Sequence, residues 1–374
     1  MKTTSKGSFI SFIIPLCAVL IALMIGAVML VSLGANPFIG YATMFKAAFG
    51  SLDGIANTSV KSIPLLLVGV GICIAFRANV INIGGEGQMV MGALLATSLA
   101  LALPGLPAPV LIPLVLMAGA IGGAIWGGVA GALKAWFNVS EILSTIMLNI
   151  VAVQFMNFLL RGPFIDPGEI MRGTRIPQTA RLPESSDLPI LVEGLRMHLG
   201  FVVALLVAVG VYLLLWRTAI GFRLRSVGHS REAARYAGIS VQKNIVGALA
   251  LSGAMAGIAG AILVFGSESH RMVTDGSSTG FTGSAGFNGI VVALLAGLHP
   301  LWSIPSAMLF GGMLVGANAL QRALQVPSAL IIALNGLIVV FVVSSEFFRQ
   351  RSLQAGRIDT AETEDRLETP GAGS

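Results

Sequence analysis

Apolar segments long enough to cross a lipid bilayer recur along most of the chain. A helix needs about 20 mainly apolar residues to span the hydrocarbon layer, and ten segments of the sequence approach that length. The first is longer than the roughly 7–15 apolar residues of a signal peptide, so we interpret it as a span. The eighth is short, so it is either extended by 282–285 or enters the membrane as a half-helix. The segments are 9–33, 58–76, 84–103, 109–133, 140–160, 199–217, 244–265, 286–298, 301–321 and 327–347.

Charged residues are too few for a soluble protein. They make up 11% of the chain, against about 25% in soluble domains. The two cysteines, Cys17 and Cys73, lie within apolar segments, which excludes a disulfide framework and a cysteine-based metal site. The sequence also lacks the HExxH and GxxxxGK[ST] patterns of metalloproteases and ATPases. An intramembrane metalloprotease and a self-contained ATPase are therefore excluded.

The basic residues predict how the ten helices are oriented. If the N-terminus is inside, fourteen of the 23 Lys and Arg residues fall in inside segments, as the positive-inside rule expects. Five of the others lie in one long outside loop, 161–198, where five acidic residues balance them. The net charge of +6 thus reflects orientation in the membrane and indicates no nucleic-acid partner. We predict an all-α membrane protein of about ten transmembrane helices, N-in and C-in.

The predicted organisation is one transmembrane domain with a polar tail. The domain covers residues 1–348 and includes the outside loop 161–198 and a basic cytoplasmic loop, 218–243. Four prolines indicate that the outside loop is irregular and has no core of its own. Residues 349–374 are polar and rich in acidic side chains, and this composition predicts a disordered cytoplasmic tail.

A short helix is predicted within the cytoplasmic loop. Ser230 is a good N-cap, and Glu232 would lie in the first turn, where the helix dipole favours an acid. Gly238 can end the helix in a left-handed conformation. Such a helix is either a docking element for a soluble partner or part of a solvated loop whose arginines only set the topology. The candidate residues are Ser230, Arg231, Glu232, Ala233, Ala234 and Gly238.

A second feature is the break in the apolar pattern at 79–88, where glycines and asparagines interrupt the helix and leave Glu86 at the start of the third span. Non-helical backbone at membrane depth is tolerated only where it is buried in protein or lines a cavity. An intramembrane acid is by default a functional candidate, but a capping acid at the interface is an equal alternative. The candidate residues at this break are Asn79, Asn82, Glu86 and Gln88.

Three further polar residues are candidates for a translocation path or gate. Glu141 begins the fifth span next to Ser140, and a capping role in the first turn of that helix explains it fully as the alternative. Asn149 lies deeper in that span and could meet a polar solute or a neighbouring helix. Asn288 belongs to a faint echo of the third span in the eighth, with GALLA at 92–96 and ALLAG at 293–297. These two spans run in opposite directions in the predicted topology, as inverted-repeat transporters require.

Three segments, in this order, resemble the permease subunits of ABC importers. They are NVINIGGEGQM at 79–89, EILSTIMLN at 141–149 and REAARYAGI at 231–239. The resemblance covers most of residues 58–345 and is to the branch that serves ribose-type sugars, branched-chain amino acids and nucleosides. Within that branch the chain resembles the longer permease of nucleoside-type importers.

The resemblance implies that ATP and Mg²⁺ are bound by a partner, a cytoplasmic ABC ATPase, while this chain forms a membrane path. It thus implies no catalytic residue, metal or cofactor in this chain. It also implies a second permease subunit, identical or different, and an extracytoplasmic substrate-binding protein. The complex would lie in the cytoplasmic (inner) membrane of a bacterium or archaeon. In such a permease, residues 231–238 correspond to the coupling helix, and an inverted pseudo-repeat relates spans 2–5 to spans 7–10.

The expected function is import of a small polar solute, a nucleoside or a simple sugar. The alternative is a secondary transporter driven by an ion gradient. That mechanism needs acidic or basic residues deep within the spans, whereas Glu86, Glu141 and Glu346 all lie near span ends.

Overall fold

The computed structural model describes residues 20–325 except 22, 33 and 268, together with the isolated positions 333, 336, 337, 340 and 344. Within that part of the chain the regular structure is helical, as predicted, apart from two isolated β-bridges and a 3₁₀ turn at Glu184–Ser186. The α-helices are α1 (Leu23–Ser32), α2 (Pro37–Phe49), α3 (Leu52–Arg77), α4 (Gly85–Ala102), α5 (Ala108–Phe137), α6 (Glu141–Arg161), α7 (Pro167–Arg172), α8 (Gly200–Arg217), α9 (Ala219–His229), α10 (Arg231–Tyr236), α11 (Val241–Phe265), α12 (Ser278–Thr282), α13 (Ala285–Leu295) and α14 (Ser303–Leu324).

Six of these helices are long and apolar enough to cross a membrane, namely α3, α5, α6, α8, α11 and α14, and each overlaps a predicted span. The pair α1 and α2 would make a seventh, bent by 119° at its break. The prediction had placed no helix at α2. About half of the predicted span 9–33, all but five residues of 327–347 and the whole tail 349–374 lie outside the described residues.

Two predicted spans form helices that differ from the other spans. The third is α4, but Glu86 and Gln88 in its first turn make it more polar than the six spanning helices. The eighth is α13, which has 11 residues and is therefore only about 16 Å long. It is not extended backwards, because Ser284 is left-handed (φ 61°) and separates it from the short helix α12. Of the two alternatives for this segment, the half-helix is the one observed.

The chain divides into two compact units, residues 44–316 and residues 1–43 with 317–374. In the described part of the second unit, the Tyr41 hydroxyl donates a hydrogen bond of 2.5 Å to the carbonyl of Leu23. Gly40 faces Leu30 and Leu320 there, and Leu30 is buried. Everything that concerns the candidate site lies in the first unit.

Helix α11 is the centre of the first unit and packs against α3, α4 and α5. Glycines allow the closest of these contacts. A Cβ atom added at Gly123 of α5 would lie 2.0 Å from the carbonyl oxygen of Gly253, and one added at Gly257 would lie 2.0 Å from that of Gly119. Small residues are expected at such contacts, because in lipid the helices associate through close packing and not through the hydrophobic effect.

The predicted outside loop 161–198 is more ordered than its prolines indicated. It contains α7 and the 3₁₀ turn, and it pairs with the segment that follows α11. The amide N–H of Thr179 donates to the carbonyl of Met272 (3.0 Å), and Arg271 forms an ion pair with Asp166 (3.1 Å). His270 and Asp187 lie 2.6 Å apart. The sequence did not predict this pairing, because the partners are about a hundred residues apart.

Substitution of Gly257 by alanine tests the packing of α11 on α5. The new methyl group would meet backbone atoms that cannot rotate away, so the helices must separate, at a cost of about 1–3 kcal/mol. We expect a lower Tm in detergent. Gly247→Ala on the same helix is the control, because a Cβ there has no atom within 4 Å. Equal Tm values for the two variants would contradict the close contact.

Candidate functional site

The break between α3 and α4 is the structural centre of the candidate site. Helix α3 ends when Asn79 adopts a left-handed conformation (φ 53°), with the amide N–H of Val80 bonded back to the carbonyl of Ala75 (3.1 Å). Asparagine is one of the few non-glycine residues that adopts this conformation readily at a helix end. The chain then runs without regular structure to Gly85, where α4 begins.

Buried amide side chains hold this non-helical segment. The Asn82 amide nitrogen donates to Gln88 Oε1 (3.0 Å) and to the Ser252 hydroxyl (2.8 Å). Asn82 Oδ1 accepts from Gln88 Nε2 (3.1 Å) and from the amide N–H of Gly84 (2.9 Å). Asn82 and Gln88 are both buried. Each polar group finds a partner, as a buried polar group must, and Ser252 connects the break to α11.

Asn149 fixes the same segment to α6. Its Oδ1 accepts from the amide N–H of Gly87 (2.8 Å), and its Nδ2 donates to the carbonyl of Ile83 (2.9 Å). The Gly87 amide lies in the first turn of α4, where backbone N–H groups have no partner within the helix. Asn149 therefore supplies a cap for α4 from a helix about sixty residues further along the chain.

Glu86 caps the half-helix α13. It is 1% exposed, and its Oε1 accepts from the amide N–H groups of Gly286 (2.8 Å) and Phe287 (3.3 Å). Its Oε2 is hydrogen-bonded to the Thr282 hydroxyl. The residue at the N-cap position of α13, Ser284, makes no side-chain cap. An acid at a helix N-terminus is stabilised by the helix dipole. Glu86 thus has a capping contact, but with α13 and not, as the capping alternative had expected, with its own helix.

The remaining path candidates lie apart from this polar cluster. Asn79 is exposed, at the side of the break that contacts α10. Glu141 forms an ion pair with Lys134 (2.8 Å) across the turn between α5 and α6. Asn288 is half-buried on α13 and takes no part in the network among the described residues. The structure thus brings together Asn82, Glu86, Gln88 and Asn149, and leaves the other three outside.

The predicted two-turn helix is present as α10. The Ser230 hydroxyl accepts from the amide N–H of Ala233 (3.2 Å), and Gly238 ends the helix with φ 76°. The amide N–H of Ile239 donates to the carbonyl of Ala234 (2.9 Å), which completes a Schellman-type end. The sequence analysis missed the preceding helix, α9. Thr218 caps it by accepting from the amide N–H of Gly221 (3.2 Å).

Helices α9 and α10 enclose an open groove of about 490 Å³. The lining of the groove is mainly apolar and includes Arg225 and His229. Tyr236, on α10, is 95% exposed. Large exposed side chains around a groove are typical of a protein interaction site. The groove is lined by Phe222, Arg225, Ser226, His229, Ser230, Ala233, Ala234, Ala237 and Ile239.

The pair α9–α10 contacts the break directly. Arg231 Nη2 donates to the carbonyl of Asn79 (3.3 Å). A Cβ atom at Gly228 would lie 2.1 Å from the carbonyl oxygen of Arg77, so α9 touches the backbone of the last residue of α3. Arg77 in turn donates to the carbonyl of Leu298 (3.2 Å), just beyond α13. The pair α9–α10 therefore contacts the start of the break and, through Arg77, the segment that follows α13.

A cation–aromatic cluster reinforces this contact. The Trp216 ring lies 5.2 Å from the Arg77 guanidinium, 6.0 Å from that of Arg225 and 5.2 Å from the His299 ring. Arginine over an indole face is attracted by the ring quadrupole. Burial, and secondarily the Arg77 charge, lower the pKa of His299. His299 is therefore neutral near pH 7 and adds no repulsion to the two arginines.

Comparison with known families identifies the class of protein. A family model described as the permease component of branched-chain amino acid transport systems matches residues 54–343. The chain belongs to this permease family. It is therefore a transport subunit and not an enzyme. Of the two functions expected from the sequence, the ABC permease is correct and the ion-coupled secondary transporter is not.

Individual permeases of this kind match nearly the whole chain. The guanosine ABC transporter permease NupP of Bacillus subtilis is 35% identical, over 90% of this chain and 94% of NupP. The glucose ABC transporter permease TsgB13 of Haloferax volcanii is 33% identical, over 90% and 88%. The nucleoside ABC transporter permease NupB of Lactococcus lactis is 28% identical, over 88% and 90%. No solved structure gives a significant match.

Several residues that form hydrogen bonds or close contacts in this region were not predicted. Ser252 had a signal, because it is a hydroxyl within the apolar run of α11. Thr282, Gly228 and Trp216 had none, since their partners lie far away in the sequence.

Replacement of Glu86 by alanine tests the cap. The N–H groups of Gly286 and Phe287 and the Thr282 hydroxyl would lose their acceptor, at about 1–3 kcal/mol for each buried unsatisfied group. We expect a lower Tm and faster amide exchange at the start of α13, with Glu86→Gln intermediate because it keeps one acceptor. Glu141→Ala, which removes a partly exposed ion pair, is the control and should cost at most about 1 kcal/mol. The cap would be refuted if Glu86→Ala matched the control.

Proposed function

We propose that this permease, together with a cytoplasmic ABC ATPase, a second permease subunit and an extracytoplasmic substrate-binding protein, imports nucleosides or simple sugars. The named relatives support this solute class, since their transporters are those for guanosine, nucleosides and glucose. The complex lies in the cytoplasmic (inner) membrane of a bacterium or archaeon. ATP and Mg²⁺ are bound by the ATPase, and this chain needs no cofactor.

The topology we propose has ten spans, with both termini inside and an inverted pseudo-repeat relating spans 2–5 to 7–10. The distribution of basic residues supports the orientation. The repeat is supported by α4 and α13, which begin at matching points of the sequence echo, Gly85 and Ala285, and meet at their N-termini. A half-helix paired with a broken span is typical of transporters built in this way.

The ATPase docks on α9–α10, and the observation that carries the proposal is the geometry of α10. This helix is capped at both ends, bears an almost fully exposed tyrosine, and lies next to an open groove. Arg231 attaches it to Asn79 at the start of the break. A stiff element that is exposed on one side and bonded to the break on the other can transmit a movement of the ATPase to the membrane helices.

The gate is the polar cluster of Asn82, Glu86, Gln88 and Asn149. Its hydrogen bonds join the break to α6, α11 and α13, so a displacement of the break changes the packing of all three helices. Alternation between outward-open and inward-open packings requires such a discrete element with two arrangements. The substrate-binding protein docks on the opposite face, where 161–198 pairs with the segment after α11.

Co-purification tests the proposed function. A tagged chain, isolated from the source organism, should bring down an ATPase and a second permease in stoichiometric amounts. The complex in liposomes should then import labelled guanosine or glucose only with ATP and the binding protein. Uptake by the chain alone, driven by an ion gradient, would refute the proposal.

Reversal of charge on α10 tests the docking site. Glu232→Lys places a cation on the exposed first turn, and we expect ATP-driven uptake to fall at least about tenfold, equivalent to one lost charged contact. The amount of chain in the membrane should not change. Glu193→Lys makes the same change on the exposed opposite face and should leave ATPase co-purification intact.

Deletion of 231–238 should abolish uptake while insertion persists, and normal uptake by that variant would rule out the coupling role.

A further inference from the structure

A polar pocket lies at the end of α6 that is remote from α9–α10. It encloses about 650 Å³ between the last turns of this helix and the segment after α11. Two amides, a guanidinium and an aromatic ring surround it, which is the mixture expected of a site for a polar organic solute. The lining residues are Gln154, Asn157, Phe158, Arg161, Gly162 and Gly276.

Asn157 is the fixed part of this pocket. Its Oδ1 accepts from the Thr274 hydroxyl (2.9 Å), and its Nδ2 donates to the carbonyl of Gly276 (3.1 Å) and, at 3.4 Å, to Gln154 Oε1. Both ends of the Asn157 amide are thus occupied. Gly276 has a positive φ of 96°, a conformation that lets the backbone turn back towards α6. The wall of the pocket is therefore built before a ligand arrives.

The groups of this pocket that remain available to a ligand are hydrogen-bond donors and the face of an aromatic ring. The Gln154 amide nitrogen and the Arg161 guanidinium form no hydrogen bond or ion pair with the part of the chain that the structure describes. The Phe158 ring between them along the helix is 65% exposed. A matching solute must offer hydrogen-bond acceptors at one edge and a flat face for stacking.

The depth of Gln154 indicates that this surface does not face lipid. Gln154 is exposed although it lies seven residues before the end of α6, about 10 Å into the helix. Its neighbours on the same face, Met147, Val151 and Phe158, are large and apolar. An exposed amide at that depth is costly against hydrocarbon and is expected to face protein or a water-filled cavity.

We propose that this pocket is the outer recognition subsite of the transport path and that it binds the base of a purine nucleoside with a 6-oxo group. The proposal rests on the proposed function and narrows its solute class. Arginine donates two hydrogen bonds to the O6 and N7 acceptors of such a purine. The Arg161 guanidinium can supply both donors. Phe158 stacks on the base. The Gln154 amide donates to a further acceptor of the nucleoside, and an adenine would instead present an amino donor towards Arg161.

Cysteine labelling tests the location of the pocket without any transport measurement. In the complete transporter, with Cys17 and Cys73 replaced by alanine, Gln154→Cys and Phe158→Cys should react with a membrane-impermeant maleimide added from outside. Excess guanosine should slow the reaction, and excess glucose should not. Ile125→Cys, at an exposed apolar position on α5, is the control and should stay unlabelled. Absence of labelling at Gln154→Cys, or labelling that guanosine does not slow, would overturn the proposal.

Uptake by variants tests the choice of base. Arg161→Ala should reduce guanosine and inosine uptake about tenfold, since a bidentate pair is lost, and should leave adenosine uptake unchanged. Arg322→Ala, an exposed arginine on α14 and outside 161–198, is the control. If the wild type imports guanosine but Arg161→Ala does so equally well, the subsite fails and the proposed function stands. Import of glucose alone by the wild type would overturn the purine assignment, and import of none of these solutes would overturn the proposed function itself.

Discussion

The hydrogen bonds from the start of α13 to Glu86 are the constraint on which the rest of the site depends. The first N–H groups of a helix have no partner within that helix, and Ser284 at the N-cap position of α13 supplies no side-chain acceptor. Glu86 supplies the acceptor, and it can do so only because α4 starts within the same layer, after the break at 79–84. The interruption of one span and the shortness of the other are therefore two parts of a single arrangement.

Local chemistry made part of this arrangement predictable. Helix α10 follows from a serine cap and a glycine end a few residues apart, and six spans follow from the length of their apolar runs. The partner of Glu86 was not predictable, because about two hundred residues separate it from Gly286. Helix α9 was missed for a different reason. Its arginines are characteristic of a solvated loop, although Leu224 and Val227 are buried.

The contacts around the break explain how one short helix could control a distant one. Arg231 bonds to the backbone at Asn79, the break bonds through Asn82 to α11, and Glu86 bonds to α13. The Arg231 bond is exposed to solvent, whereas the bonds of Asn82 and Glu86 are buried and cannot break without leaving an unsatisfied partner. Such a set of bonds favours two complete arrangements over a continuous series of intermediates.

Hydrogen-bond accounting separates the residues that hold the fold from those that can hold a solute. Asn82, Gln88, Glu86 and Asn149 have their polar groups already paired, so a solute could bind them only by breaking bonds that fix three helices. At the C-terminal end of α6 the situation is reversed, because Asn157 is paired while Gln154 and Arg161 retain donors towards an open space. In the proposed path, a solute therefore binds first at this end of α6 and passes the break only when the cluster rearranges. Binding before the cluster rearranges is the order expected if the cluster acts as a gate and not as the binding site.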